Sequence, residues 1–64
     1  MKTFYDVQQL LKRFGTIIYT KDRLADLELM EMEIRDLYDA GVLERQDFQM
    51  ALLLLRQEQS KLKR

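Results

Sequence analysis

Histidine and cysteine, the side chains most often used for proton transfer, nucleophilic attack and metal ligation near neutral pH, are both absent from this 64-residue chain. The remaining candidates for chemistry are few. Ser60 is the only serine, and it stands near the C-terminal end, where helices fray. Thr3, Thr16 and Thr20 fall at expected helix boundaries, where capping and turn roles suit them. No glycine-rich loop is present to cradle a phosphate. Without a nucleophile beside a base, no catalytic residue is assigned, and neither a cofactor nor a small-molecule substrate is implied. Asp22 and Asp26 lie one helical turn apart, as oxygen ligands of a cation do. There is no EF-hand loop and no Glu-x-x-His pair to complete a site, so a solvated acidic face is expected of them rather than a metal centre.

Binding chemistry is better represented. The stretch from Lys12 to Arg23 holds four bases, one acid and two aromatic rings around an expected turn. Single-strand nucleic-acid binders combine cations that meet phosphates with rings that stack on bases. Lys12, Arg13, Lys21 and Arg23 are the phosphate candidates, and Tyr19 is the stacking candidate. Phe14 is set aside because its spacing places it on a buried stripe. The chain as a whole is not basic, with 11 bases against 11 acids, so no general cationic field is available. The distribution is uneven. Residues 22–39 carry a net −5, whereas residues 1–21 carry +3 and residues 40–64 carry +2. A bound strand is expected to avoid Glu28 to Asp39. Asp36 and Asp39 also sit where a helix dipole disfavours acids. Neutralisation by Arg45 or a neighbouring helix, or a basic partner, would account for them.

A second candidate surface is apolar. Leu52, Leu53, Leu54 and Leu55 are consecutive, and on a helix they point in four directions, about 100° apart. A small bundle buries one broad face, so Leu53 or Leu54, together with Met50, is expected to reach the surface. Such a patch suits a second copy of the chain or another protein.

These residues must be positioned by helices. Proline, tryptophan and asparagine are missing and glycine occurs twice, which leaves too little turn chemistry for a β-rich fold. Phe4, Val7, Leu10, Leu11 and Phe14 recur at spacings of three and four, predicting a first helix capped by Thr3, with Asp6 in its first turn and Gly15 past its end. Thr16 to Thr20 has strand propensity but no second strand to pair with, so it is expected as an extended linker with at least one isoleucine plugging the bundle. The second helix runs from about Asp22 to Ala40, capped by Thr20 or Asp22. Leu24, Leu27, Met30, Ile34, Leu37 and Tyr38 form one stripe, and Ala25, Leu29 and Met32 a second, as a central helix with two neighbours would have. Gly41 at C′ would make Leu37 and Val42 the C3 and C″ residues of a Schellman end. The third helix runs from about Glu44 to near Lys63, with Phe48, Ala51, Leu52, Leu55 and Leu62 inward and Lys61, Lys63 and Arg64 in its last turn. The short turn before it forces an antiparallel hairpin. The fold expected is an all-α three-helix bundle in a single domain covering residues 1–64.

No run approaches the roughly 20 apolar residues that span a bilayer. The opening residues lack the apolar core of a signal peptide. With no cysteine to oxidise, a reducing, cytoplasmic location is expected.

Four segments, Thr3 to Leu11, Phe14 to Thr20, Asp22 to Met30 and Phe48 to Arg56, closely resemble the YqgQ family of small, uncharacterised bacterial cytosolic proteins. The resemblance spans nearly the whole chain. It implies a three-helix bundle, a cytosolic location, no enzymatic activity and a role in single-stranded nucleic-acid binding. It brings no catalytic or binding motif, so no site residue follows from it. Two expectations therefore stand: a single-strand binder using the end of the first helix and the linker, and a helical interaction module using Met50, Leu53 and Leu54.

Overall fold

A computed structural model describes residues 1–62 and shows three helices in the order α1 (Phe4–Arg13), α2 (Arg23–Asp39) and α3 (Arg45–Leu62). Each begins and ends for local reasons. Thr3 caps α1 within a full capping box. Its hydroxyl oxygen accepts from the Asp6 amide at 3.4 Å, and the Asp6 carboxylate accepts from the Thr3 amide at 3.0 Å and the Lys2 amide at 2.8 Å. The amide donors of Lys2 and Thr3, in that order, hold the Asp6 carboxyl below its usual range. At the other end Gly15 adopts φ +80°, donating to Lys12 O while Thr16 donates to Leu11 O, a complete Schellman closure.

Helix α2 is capped by Asp22, whose Oδ1 accepts from the Leu24 and Ala25 amides at 3.1 and 3.3 Å. It ends as the spacing predicts. Gly41 has φ +78°, its amide donates to Tyr38 O, and the Val42 amide donates to Leu37 O. Three residues later α3 begins, and α2 and α3 form the most extensive helix pair. Tyr38 and Phe48 stack near the turn, with centroids 4.1 Å apart and planes 9° apart. At the far end of the hairpin Arg23 reaches Glu58 at 3.2 Å and lies 4.8 Å above the Phe4 ring. One guanidinium thus ties all three helices together.

The core is Val7, Leu10 and Leu11 from α1, Leu27, Met30 and Ile34 from α2, Ala51, Leu54 and Leu55 from α3, and Leu43 from the turn. Several burial expectations are corrected. Phe14 is the C-cap of α1 and is 44% exposed, because the chain has left the helical path there and the stripe ends at Leu11. Leu29 and Met32 are exposed, so α2 buries one stripe and not two. Helix α1 packs against both α2 and α3 on the inner side, and the second stripe of α2 faces away. Leu62 is also exposed, whereas Leu54 is 8% exposed and belongs to the core. Lys63 and Arg64, expected in the last turn of α3, lie outside the described residues.

Candidate nucleic-acid interface

The linker of residues 16–20 is fixed at both ends by threonines. The Thr16 amide donates to Leu11 O at 3.0 Å, and its hydroxyl donates to Glu33 Oε1 at 3.1 Å. The Thr20 amide and hydroxyl both donate to Asp26 Oδ1 at 2.7 Å. Asp26 is therefore not part of a solvated acidic face. It is buried against the linker it holds, because a carboxylate there satisfies a backbone donor that no strand partner takes. Asp22 is occupied as the α2 cap. The two acids weighed as cation ligands thus have separate structural partners.

Between the two clamps the side chains alternate. Ile18 packs against the core, while Ile17 is 82% exposed and Tyr19 is 75% exposed. Period-two alternation is the mark of an extended segment, and it aims the Tyr19 ring into solvent. Lys21 follows with φ +70°, a left-handed conformation uncommon for a residue with a Cβ. It turns the chain sharply from the linker into the α2 cap.

Three adjoining clefts bring the sequence candidates together. The first, of about 320 Å³, runs between α1 and the linker, with Lys12, Gln8, Gln9, Ile17 and Ile18 in its walls. The second, of about 190 Å³, shares Gln8, Ile18 and Met30 with it and adds Tyr19, Lys21, Arg23 and Asp26. The third, of about 350 Å³, shares Gln9 with the first and adds Arg13, Lys2, Asp6 and Asp47. All five predicted binding residues thus line one run of clefts across the Gln8–Gln9 face of α1. No acid between Glu28 and Asp39 takes part in it.

The five are not equivalent. Lys12, Arg13 and Lys21 make no ion pair among the described residues, whereas Arg23 is engaged by Glu58 and Phe4. Lys2, Gln8 and Gln9 were missed. The two glutamines are legible only as polar positions on the outer side of α1, and Lys2 lies too far along the chain from the basic stretch to be grouped with it. Phe14, set aside on the ground that it was buried, is available after all as a second exposed ring near Lys12 and Arg13.

The apolar candidates separate. Leu53 is 51% exposed and Met50 is also exposed, but Leu54 points into the core and offers nothing to a partner. The reason is rotational. Leu54 lies one position short of Leu55 and three beyond Ala51, so the broad α3 face that meets both neighbouring helices includes it. Asp36 and Asp39 are exposed and make no ion pair among the described residues. Arg35 pairs with Glu31 at 3.0 Å, and neither Arg35 nor Arg45 neutralises them. No described helix is long and apolar enough to cross a membrane.

Comparison with known proteins gives a consistent family relationship. A family model described as YqgQ-like matches residues 1–61. A Bacillus subtilis (strain 168) protein named "Uncharacterized protein YqgQ" is 47% identical over 58 residues, covering 91% of this chain and 82% of the relative.

Proposed function

We propose that this chain, which belongs to the YqgQ-like family, is a non-enzymatic cytoplasmic protein that binds single-stranded nucleic acid along the clefts that flank α1, two of them against the linker and one toward Asp47 of α3. The observation that carries this reading is the convergence of Lys12, Arg13, Tyr19 and Lys21 on adjoining clefts, with the Tyr19 ring in solvent. A strand laid there meets cations without an ion-pair partner, an aromatic platform and two amides able to bond base edges. Sequence-tolerant binding needs little more than phosphate neutralisation and stacking. Arg23 contributes less than its position in the sequence suggests, because breaking its links to Glu58 and Phe4 opposes any new contact.

Titration of a fluorescent single-stranded oligonucleotide at two salt concentrations tests this. Three available cations give a log–log salt slope of about −2, at roughly −0.7 per phosphate contact on a single strand. Tyr19→Ala is expected to cost about 1–3 kcal/mol of binding. Lys12→Glu together with Arg13→Glu flattens the slope by about two contacts. Absence of binding at low salt, or binding indifferent to salt, defeats the reading.

The exposure of Leu53 and Met50 favours a second reading, a helical module that docks another protein through α3. A pull-down with and without nuclease separates the two. Partners that survive nuclease and are lost on Leu53→Glu belong to the second.

A further inference from the structure

The linker forms neither a helix nor a paired strand, yet its residues are those of a strand. None of its φ angles is positive, Ile17 and Tyr19 are exposed on either side of the partly buried Ile18, and its sequence, Thr16-Ile17-Ile18-Tyr19-Thr20, is rich in residues that favour strands. Successive backbone amides of an extended segment point to opposite edges. Thr16 and Thr20 spend their amides within their own molecule, on Leu11 O and Asp26 Oδ1. Those two bonds place one edge against the body of the protein. The other edge, carrying the amides and carbonyls of Ile17 and Tyr19, has no hydrogen-bond partner among the described residues. An open edge of this kind is a template for strand addition.

We infer that the edge pairs with the same edge of a second copy, antiparallel and centred on Ile18. The segment is self-complementary in that register. Ile17 meets the second copy's Tyr19, and Tyr19 meets its Ile17. These are aromatic–β-branched pairs, the favourable cross-strand kind. Each pair exchanges both backbone bonds, using the groups left open and none that the threonine clamps require. Thr16 falls opposite Thr20, and Lys21 falls opposite Gly15, so no like charges face each other along the strand. The two-fold axis through Ile18 makes the contact isologous and closed, which stops it at a dimer. The surface is small, and a two-stranded ribbon is weak alone, so the dimer is expected to dissociate at about 1 mM. The second copy's Ile17 covers one flank of the Tyr19 ring, so pairing reduces the ring surface open to a base.

Sedimentation equilibrium from about 0.05 to 2 mM is the test, with helix content followed by circular dichroism. The wild type should pass from monomer to dimer across that range. Ile17→Lys, at an exposed position, should keep its helices and remain monomeric. Ile17→Lys combined with Tyr19→Glu places opposite charges across the axis and should restore the dimer. The chain has no cysteine, so oxidation of mixed Ile17→Cys and Tyr19→Cys chains should give the heterotypic disulfide in excess over either homotypic one. A wild type that stays monomeric at every concentration overturns the inference. So does a dimer indifferent to Ile17→Lys, or one abolished by Leu53→Glu instead.

Discussion

A carboxylate taken out of water must be met by donors, and at Asp26 those donors come from the linker. The Thr20 amide and hydroxyl converge on one oxygen at 2.7 Å, so the acid substitutes for the strand partner that the segment lacks. Asp26→Ala leaves the Thr20 amide without its acceptor and should cost about 1–3 kcal/mol, read as a lowered urea midpoint with an unchanged slope. Asp26→Asn keeps an acceptor oxygen and should cost less. Equal stability of all three proteins would show that the clamp carries no weight. The sequence did not disclose this role. Asp26 lies among seven acids in 18 residues, and nothing in its type or spacing separates it from exposed neighbours. Only the path of the linker singles it out.

At the scale of the elements, helix ends were the most legible feature, because caps are written within five or six consecutive residues. The capping box of Thr3 and Asp6, the glycine stops at Gly15 and Gly41, and the Schellman bonds around Leu37 and Val42 all follow from adjacent residue types. Gly41→Ala tests the second stop. A Cβ there meets nothing within 4 Å, so space is not the issue and the φ of +78° alone sets the penalty. The expected cost is about 1–2 kcal/mol, seen as a lower melting temperature. An unchanged or raised one would contradict the conformational argument. Which side of each helix is buried was less legible. Helical periodicity identifies apolar stripes but not which of two stripes meets a neighbour. Hence periodicity places Leu29 and Met32 inside, and offers Leu54 to the surface as readily as Leu53.

Across the whole molecule, the all-α bundle was legible from composition and spacing, whereas the link that joins all three helices was not. Arg23 was assigned to phosphate binding from its neighbours in sequence, but its partners, Glu58 and Phe4, lie 35 and 19 positions away. Sequence proximity groups the cations, whereas tertiary structure gives one of them partners of its own. The Glu58 carboxyl is held below its ordinary value of 4.5, first by the Lys61 hydrogen bond and then by the charges of Lys61 and Arg23, against the opposing effect of burial. A carboxyl depressed in the folded state stabilises it above the unfolded pKa, and that contribution is lost as pH falls through the folded value. Glu58→Gln should therefore cost about 0.5 kcal/mol at neutral pH, in the range of partly exposed ion pairs. The difference should close as unfolding is measured at pH values progressively below 4.5. A gap that persists in acid would assign the effect to packing.

The turn between α2 and α3 spans only residues 40–44, whereas nine residues, 14–22, separate α1 from α2. Loop closure favours the shorter connection, and local contacts form fast. The α2–α3 hairpin is therefore the natural first assembly, with α1 docking onto it as the linker is clamped. The order matters in reverse as well. The α1–α2 pair is the least extensive of the three, and with the longer connection beside it that seam opens first under native conditions. Both proposed occupants, a nucleic-acid strand in the clefts and a second copy on the linker edge, thus bind beside the seam most prone to opening, and either one bound there would slow its opening.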